Sequence, residues 1–203
     1  MPKAEWETLR SLHGRKRLDH IWTYYKMPII LAVIVVYIIA YIGYRQATRK
    51  EEVLYLAMVN VSAGEELTGE LTDGFLAQQG LTGGREDVYL YNGLLLSENA
   101  DQQYVYASRM KILGALAADQ LDVVLMDAEA RDAFLQEGYL ADLRTLDPSL
   151  EGVEGLDDSG LWLDVSASPM MAAAGFPDRV YLGVIVQAPH PDRAAAFIHY
   201  LLS

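Results

Sequence analysis

The 203-residue chain contains no cysteine, which excludes a disulfide framework, a thiolate nucleophile and a cysteine-ligated metal. Histidine is scarce: His13, His20, His190 and His199 show no HExxH or related metal-ligand spacing, so no metal and no cofactor is expected. Gly80, Gly83 and Gly84 form neither a phosphate-cradling loop nor a dinucleotide fingerprint. Residues 166–169, Ser-Ala-Ser-Pro, lack the Gly-x-Ser-x-Gly setting of a nucleophilic serine. Asn60-Val-Ser62 matches the glycosylation sequon, a three-residue pattern that chance supplies freely. Positive charge is also in short supply. A formal net charge of -12 and a pI near 4.6 argue against a partner with a phosphate backbone, and no nucleic-acid role is expected.

What the chain does have is apolar content: 52% hydrophobic against 22% charged residues, enough to build a core. Its charge is sharply divided. Residues 1–50 carry nine Lys/Arg against three acids, whereas residues 51–203 carry seven against twenty-five and hold -18. Residues 27–44 are eighteen in number and uncharged. As a helix they would extend roughly 27 Å, close to a ~30 Å hydrocarbon core. Trp22, Tyr24, Tyr25 and Lys26 precede the run, while Tyr41, Tyr44 and Arg45 close it, in the manner of interfacial anchors. Pro28 is expected in the first turn of this helix, where its missing N–H costs little. The run is longer than a secretory signal's apolar core and ends Tyr-Ile-Gly-Tyr-Arg, without a small-residue cleavage site. It is therefore expected to remain as a single-pass signal-anchor in the cell membrane, with the lipid bilayer as its first partner.

Six basic residues precede the run and three follow it, which places residues 1–26 in the cytoplasm and the acidic part outside. Residues 6–25 read either as a short amphipathic helix on the inner leaflet or as an orientation signal alone. Tyr37, Tyr41 and Tyr44 recur at i, i+4, i+7 and mark one helix face, either for a partner helix or as interface anchors. Residues 45–52 form a juxtamembrane linker; eight extended residues reach only about 28 Å, so the outer domain stays near the membrane.

Residues 53–203 alternate between two patterns. Short apolar runs at 53–59, 88–91, 123–126 and 180–186, and a weaker one at 161–165, read as strands covered on both faces. Between them, Leu67, Leu71 and Phe75 repeat at helical spacing, as do Met110, Leu113 and Ala117. Phe134 and Leu135 lie in a helix ended near Gly138. Pro191 opens the last helix, in which Ala194, Phe197, Ile198 and Leu201 share one face. The expected fold class is α/β, one N-terminal transmembrane helix followed by a single domain with a mainly parallel sheet. Residues 144–160, rich in glycine and acids, read as an exposed connection.

The stretch 110–127, Met-Lys-Ile-Leu-Gly-Ala-Leu-Ala-Ala-Asp-Gln-Leu-Asp-Val-Val-Leu-Met-Asp, resembles the first lobe of bacterial extracellular solute-binding proteins of ABC importers. There a Leu/Ala-rich helix leads to an Asp-Val-Val strand, and a following helix leads to Gly-x-Leu-x-x-Leu, here Gly138, Leu140 and Leu143. The end of the chain, from Gly183, is similar to the returning strand and helix of that lobe. Residues 21–26 before the apolar run look like those of small single-pass proteins of Gram-positive gut bacteria. The resemblance covers roughly 53–143 and 180–203, and it implies a periplasmic-binding-protein-like lobe. The family places a second lobe between these parts, where this chain has about 36 residues (144–179), and the family's lipid-modified cysteine is absent.

Open α/β sheets bind ligands outside the carboxyl ends of their strands. Asn60, Ser62, Asn92, Asp127 and Glu129 fall at such ends. These side chains either hydrogen-bond a small polar ligand or cap helices and turns. The function expected is a non-enzymatic, membrane-tethered module that binds a ligand or a protein. The alternative is an accessory subunit of a membrane-protein complex such as a transporter. An envelope-acting hydrolase ranks third, for want of a defined acid–base pair.

Overall fold

The structure, a computed structural model, describes residues 15–47, 50–81 and 84–203, with the side chains of 15–26, 29, 46 and 47 outside the description. The chain divides into two units, Met1–Arg49 and Lys50–Ser203. In the first, α1 (Arg15–Ala47) is a single helix of 33 residues. It begins well before the uncharged run, so Pro28 lies in its interior rather than in its first turn, and one i→i−4 hydrogen bond is missing there. Its described side chains from Ile30 to Arg45 are exposed. Among the described residues no helix is long and apolar enough to cross a membrane. The side chains of Ile29, within the apolar run, and of the anchor residues Trp22, Tyr24, Tyr25 and Lys26 lie outside the description.

The second unit is a mixed α/β domain on a five-stranded sheet. Its strands are β1 (Glu51–Val59), β2 (Glu86–Leu94), β3 (Val123–Met126), β4 (Leu163–Asp164) and β5 (Tyr181–Val184), in the order β2-β1-β3-β5-β4. All five apolar runs of the sequence are strands. The pairs β1–β2 and β1–β3 are parallel; β3–β5 and β4–β5 are antiparallel, so four strands run the same way and the sheet is mostly parallel, made mixed by β5, whose reversed direction the sequence did not show. The reason is physical. Every residue of β5 is buried, which reports covering on both faces and carries no information about direction.

Period-two alternation sorts the side chains into two layers. Leu54, Leu56 and Met58 of β1 face a layer that contains Phe75 and Phe197. Ala57 and Val59 face the other layer, with Ile112 and Phe134. The first layer is covered by α2 (Glu65–Gly69), α3 (Phe75–Gln78) and α8 (Pro191–Leu202), with α2 and α3 joined by a π-helical turn, Glu70–Gly74. The second is covered by α4 (Gln102–Ala117) and α5 (Ala128–Glu137). Gly138, at φ 71, ends α5 in the left-handed conformation that glycine adopts without steric cost.

Residues 144–160 are more than an exposed connection. Leu150 and Gly160 are buried, and α6 (Leu143–Leu146) leads into a 3-10 turn, Pro148–Leu150. Arg144 grips Asp142 through two contacts of 3.0 and 3.1 Å and donates to the Ser159 carbonyl at 2.6 Å, closing the segment on itself. A last helix, α7 (Pro169–Ala174), follows β4.

Candidate functional site

The carboxyl ends of β1, β2 and β3 bring most of the sequence-derived candidates together, and they bond to the protein itself. Asn60 takes a left-handed backbone, φ 59, which turns the chain out of β1. Its Nδ2 donates to Asp127 Oδ1 at 3.0 Å, and its Oδ1 accepts from the Leu96 N–H at 2.6 Å. Asp127 caps α5 by accepting from the Ala130 N–H at 2.8 Å. Glu129 accepts from the Glu98 N–H at 2.7 Å. Asn92 clasps the backbone of Ala63, donating at 3.0 Å and accepting at 3.3 Å. These four side chains fix the loops after β1 and β2, with the capping geometry that short polar side chains favour.

Ser62 is placed differently. It is exposed and lines an open cleft of about 260 Å³. One wall is the stretch after β1, with Gly64, Glu66, Leu67 and Glu70; the other is Met170, Ala173, Ala174 and Phe176 on and after α7. Glu70 opens the π-helical turn, a feature that recurs at functional sites because it redirects side chains. The cleft therefore joins two carboxylates and a hydroxyl to an apolar floor. Sequence reasoning missed Glu66 and Glu70, which look like two more of the chain's many acids. Their four-residue spacing is the one signal that pointed to a shared face.

A second depression, about 380 Å³, lies between α4 and α5. It is lined mainly by Leu96, Ile112, Leu113, Phe134 and Tyr139, with Arg109 and Glu137 also on its walls. The Asn60–Leu96 bond sets one of these walls.

Asp122 and His190 form a pair that the sequence did not disclose. Asp122 is fully buried at the start of β3. Its carboxylate accepts from the Tyr55 N–H at 2.8 Å and the His190 N–H at 2.7 Å, and it lies 3.0 Å from His190 Nδ1. The His190 ring packs on Tyr55 with centroids 5.7 Å apart. The pair fastens β1 to the turn before α8.

The other histidine pair is exposed. His199 Nε2 lies 2.8 Å from Asp147 Oδ2 and 3.4 Å from Ser149 Oγ. Both partners meet the same ring nitrogen, so the imidazole cannot relay a proton between them as in a Ser-His-Asp triad. The His199 contact, then the Ser149 N–H, pull the Asp147 carboxyl down to about 2 from an ordinary 3.8. A depressed folded-state value means that this interaction stabilises the fold above the unfolded value and is lost as pH falls through the folded one. A carbon-detected NMR titration should place the Asp147 midpoint near 2, and His199→Ala should return it toward 3.8.

Among the described residues no group of three or more acidic or histidine side chains is placed to hold a metal ion. Comparison with family models, with curated proteins and with solved structures gives no match.

Proposed function

We propose that residues 50–203 act as a non-enzymatic binding module, resembling one lobe of an extracellular solute-binding protein and held at the outer face of a membrane by residues 27–44. The ligand is a small polar molecule that carries an amine. The observation that carries this reading is the cleft around Ser62. Residues 144–179 stand where the resembled family has a second lobe, and their helix α7 supplies the cleft's opposite wall. Glu66 and Glu70 offer two negative charges there, and the charge of -18 held by residues 51–203 draws cations from a distance. The anchor rests on the eighteen-residue uncharged run and its aromatic borders.

A second reading, an accessory subunit of a membrane complex, draws on the tyrosine face of α1, where Tyr37 and Tyr41 stack with centroids 6.3 Å apart at 17°.

The test uses the full chain reconstituted in lipid vesicles, screened by thermal shift against sugars, amino acids and simple amines. An amine-bearing compound is expected to raise the unfolding midpoint by mass action, about 2.7 kcal/mol at a hundredfold excess over Kd. The double change Glu66→Gln with Glu70→Gln should remove that rise. A screen in which no amine raises the midpoint sinks the ligand reading. A chain that washes off the vesicles with buffer sinks the anchor.

A further inference from the structure

Six large apolar side chains stand exposed among the described residues of the second unit: Tyr89, Tyr104, Tyr106, Met110, Leu113 and Val186. Four of them are on α4, the longest helix of that unit. This helix buries Ser108, Ile112 and Ala115 against the sheet. At 3.6 residues per turn, Tyr106, Met110, Leu113 and Ala117 fall on one stripe that points the opposite way. Their spacing of four, three and four is that of a helix–helix packing seam. Gly114 lies beside the stripe, with open space where a side chain would stand.

The charge of α4 is as unusual as its outer face. It carries Arg109 and Lys111 and no acid over 16 residues, whereas residues 51–203 together hold -18. Two copies of this domain that met on most other faces would set acid against acid; on α4 they would not. The stripe also complements its own inverse. Turned end for end about a point between residues 111 and 112, it sets Tyr106, its largest side chain, on Ala117, its smallest, and Met110 on Leu113.

We infer that α4 pairs antiparallel with α4 of a second copy of this chain, across a two-fold axis between residues 111 and 112. The interface is isologous, each stripe serving as both knob and hole. In this register Arg109 of one copy lies toward the carboxyl end of the other copy's α4, the end that Asp119 follows. Asp119 is exposed just beyond the end of α4, so the same register that packs the apolar stripe sets each arginine toward an acid. This pairing is independent of the cleft around Ser62.

The absence of cysteine makes the test direct, because every introduced thiol is the only one in its chain. Full-length chains bearing Tyr106→Cys and Ala117→Cys, carrying different tags, are mixed in detergent and oxidised. The mixed pair is expected to form a disulfide-linked dimer. Tyr106→Cys with itself should not, since those positions stand about 16 Å apart along the axis. Ala172→Cys on α7 gives the background. A mixed pair at that background, or a self-pair of Tyr106→Cys above it, overturns the inference. Because a cysteine weakens the stripe it replaces, the unaltered chain is also weighed by light scattering. Twice the chain mass is expected, falling to one chain mass in Met110→Glu with the circular dichroism spectrum unchanged. One chain mass at every concentration overturns the inference, including where the stripe then binds anionic lipid vesicles or another protein.

Discussion

Asp122→Ala is expected to cost about 2–6 kcal/mol of folding stability, because it removes the acceptor of two backbone N–H groups at a fully buried position. The side chain is fully buried, and three donors converge on its two oxygens: the Tyr55 and His190 backbone N–H groups and the His190 ring. Alanine would leave two backbone donors without the acceptor built for them, at about 1–3 kcal/mol for each one that stays dry. His190→Ala tests the apportioning. It removes the ring contact but keeps the backbone N–H of residue 190, so about 1 kcal/mol is expected. Urea unfolding of both variants at equal slope is the measurement. If His190→Ala costs as much as Asp122→Ala, the backbone donors are not what Asp122 secures, and the account of the β1–α8 clasp is wrong.

The example of Asp122 shows where sequence reading stops. The residue could be seen to precede the run Val123–Met126, and that run is indeed strand β3. Its meeting with His190 depends on two neighbours in space, β1 and the turn after β5, which lie 67 and 68 residues away. No local pattern encodes such a distance. The same limit hid the direction of β5. Apolar runs and helix-face repeats, by contrast, depend on neighbours within a few residues, and every strand run and the helices marked by Phe75, Ala117, Phe134 and Phe197 were legible from them. The strand-end candidates lie between these cases. That Asn60, Asn92 and Asp127 sit at turns followed from residue type and position. That each uses its polar atoms on the loops beside it, leaving Ser62 at an open cleft, followed only from the register of β1 with β2 and β3.

Phe197→Ala is expected to destabilise the domain by about 3–5 kcal/mol, the usual cost of emptying a buried aromatic site. Phe197 is fully buried on α8 and meets Phe75 edge-to-face, with centroids 5.2 Å apart at 79°. Such a pair adds about 0.5–1.5 kcal/mol beyond its buried area, so a double-mutant cycle with Phe75→Ala should return a coupling of that size. The effect should also travel toward the cleft. Tyr200, one turn along α8, packs on both rings, with centroids 5.7 Å from Phe75 and 6.2 Å from Phe197. Its hydroxyl donates to the Glu70 carbonyl at 2.8 Å, and Gly74 makes room for it, since a Cβ there would stand 2.5 Å from that oxygen. The aromatic trio thus steadies the π-helical turn that carries Glu70 to the cleft wall. Phe197→Leu, which keeps most of the volume, should cost less than half as much and leave the Tyr200–Glu70 bond intact. If Phe197→Ala and Phe197→Leu weaken binding of the same amine equally, the turn is not held from this side, and the cleft owes its shape to α7 alone.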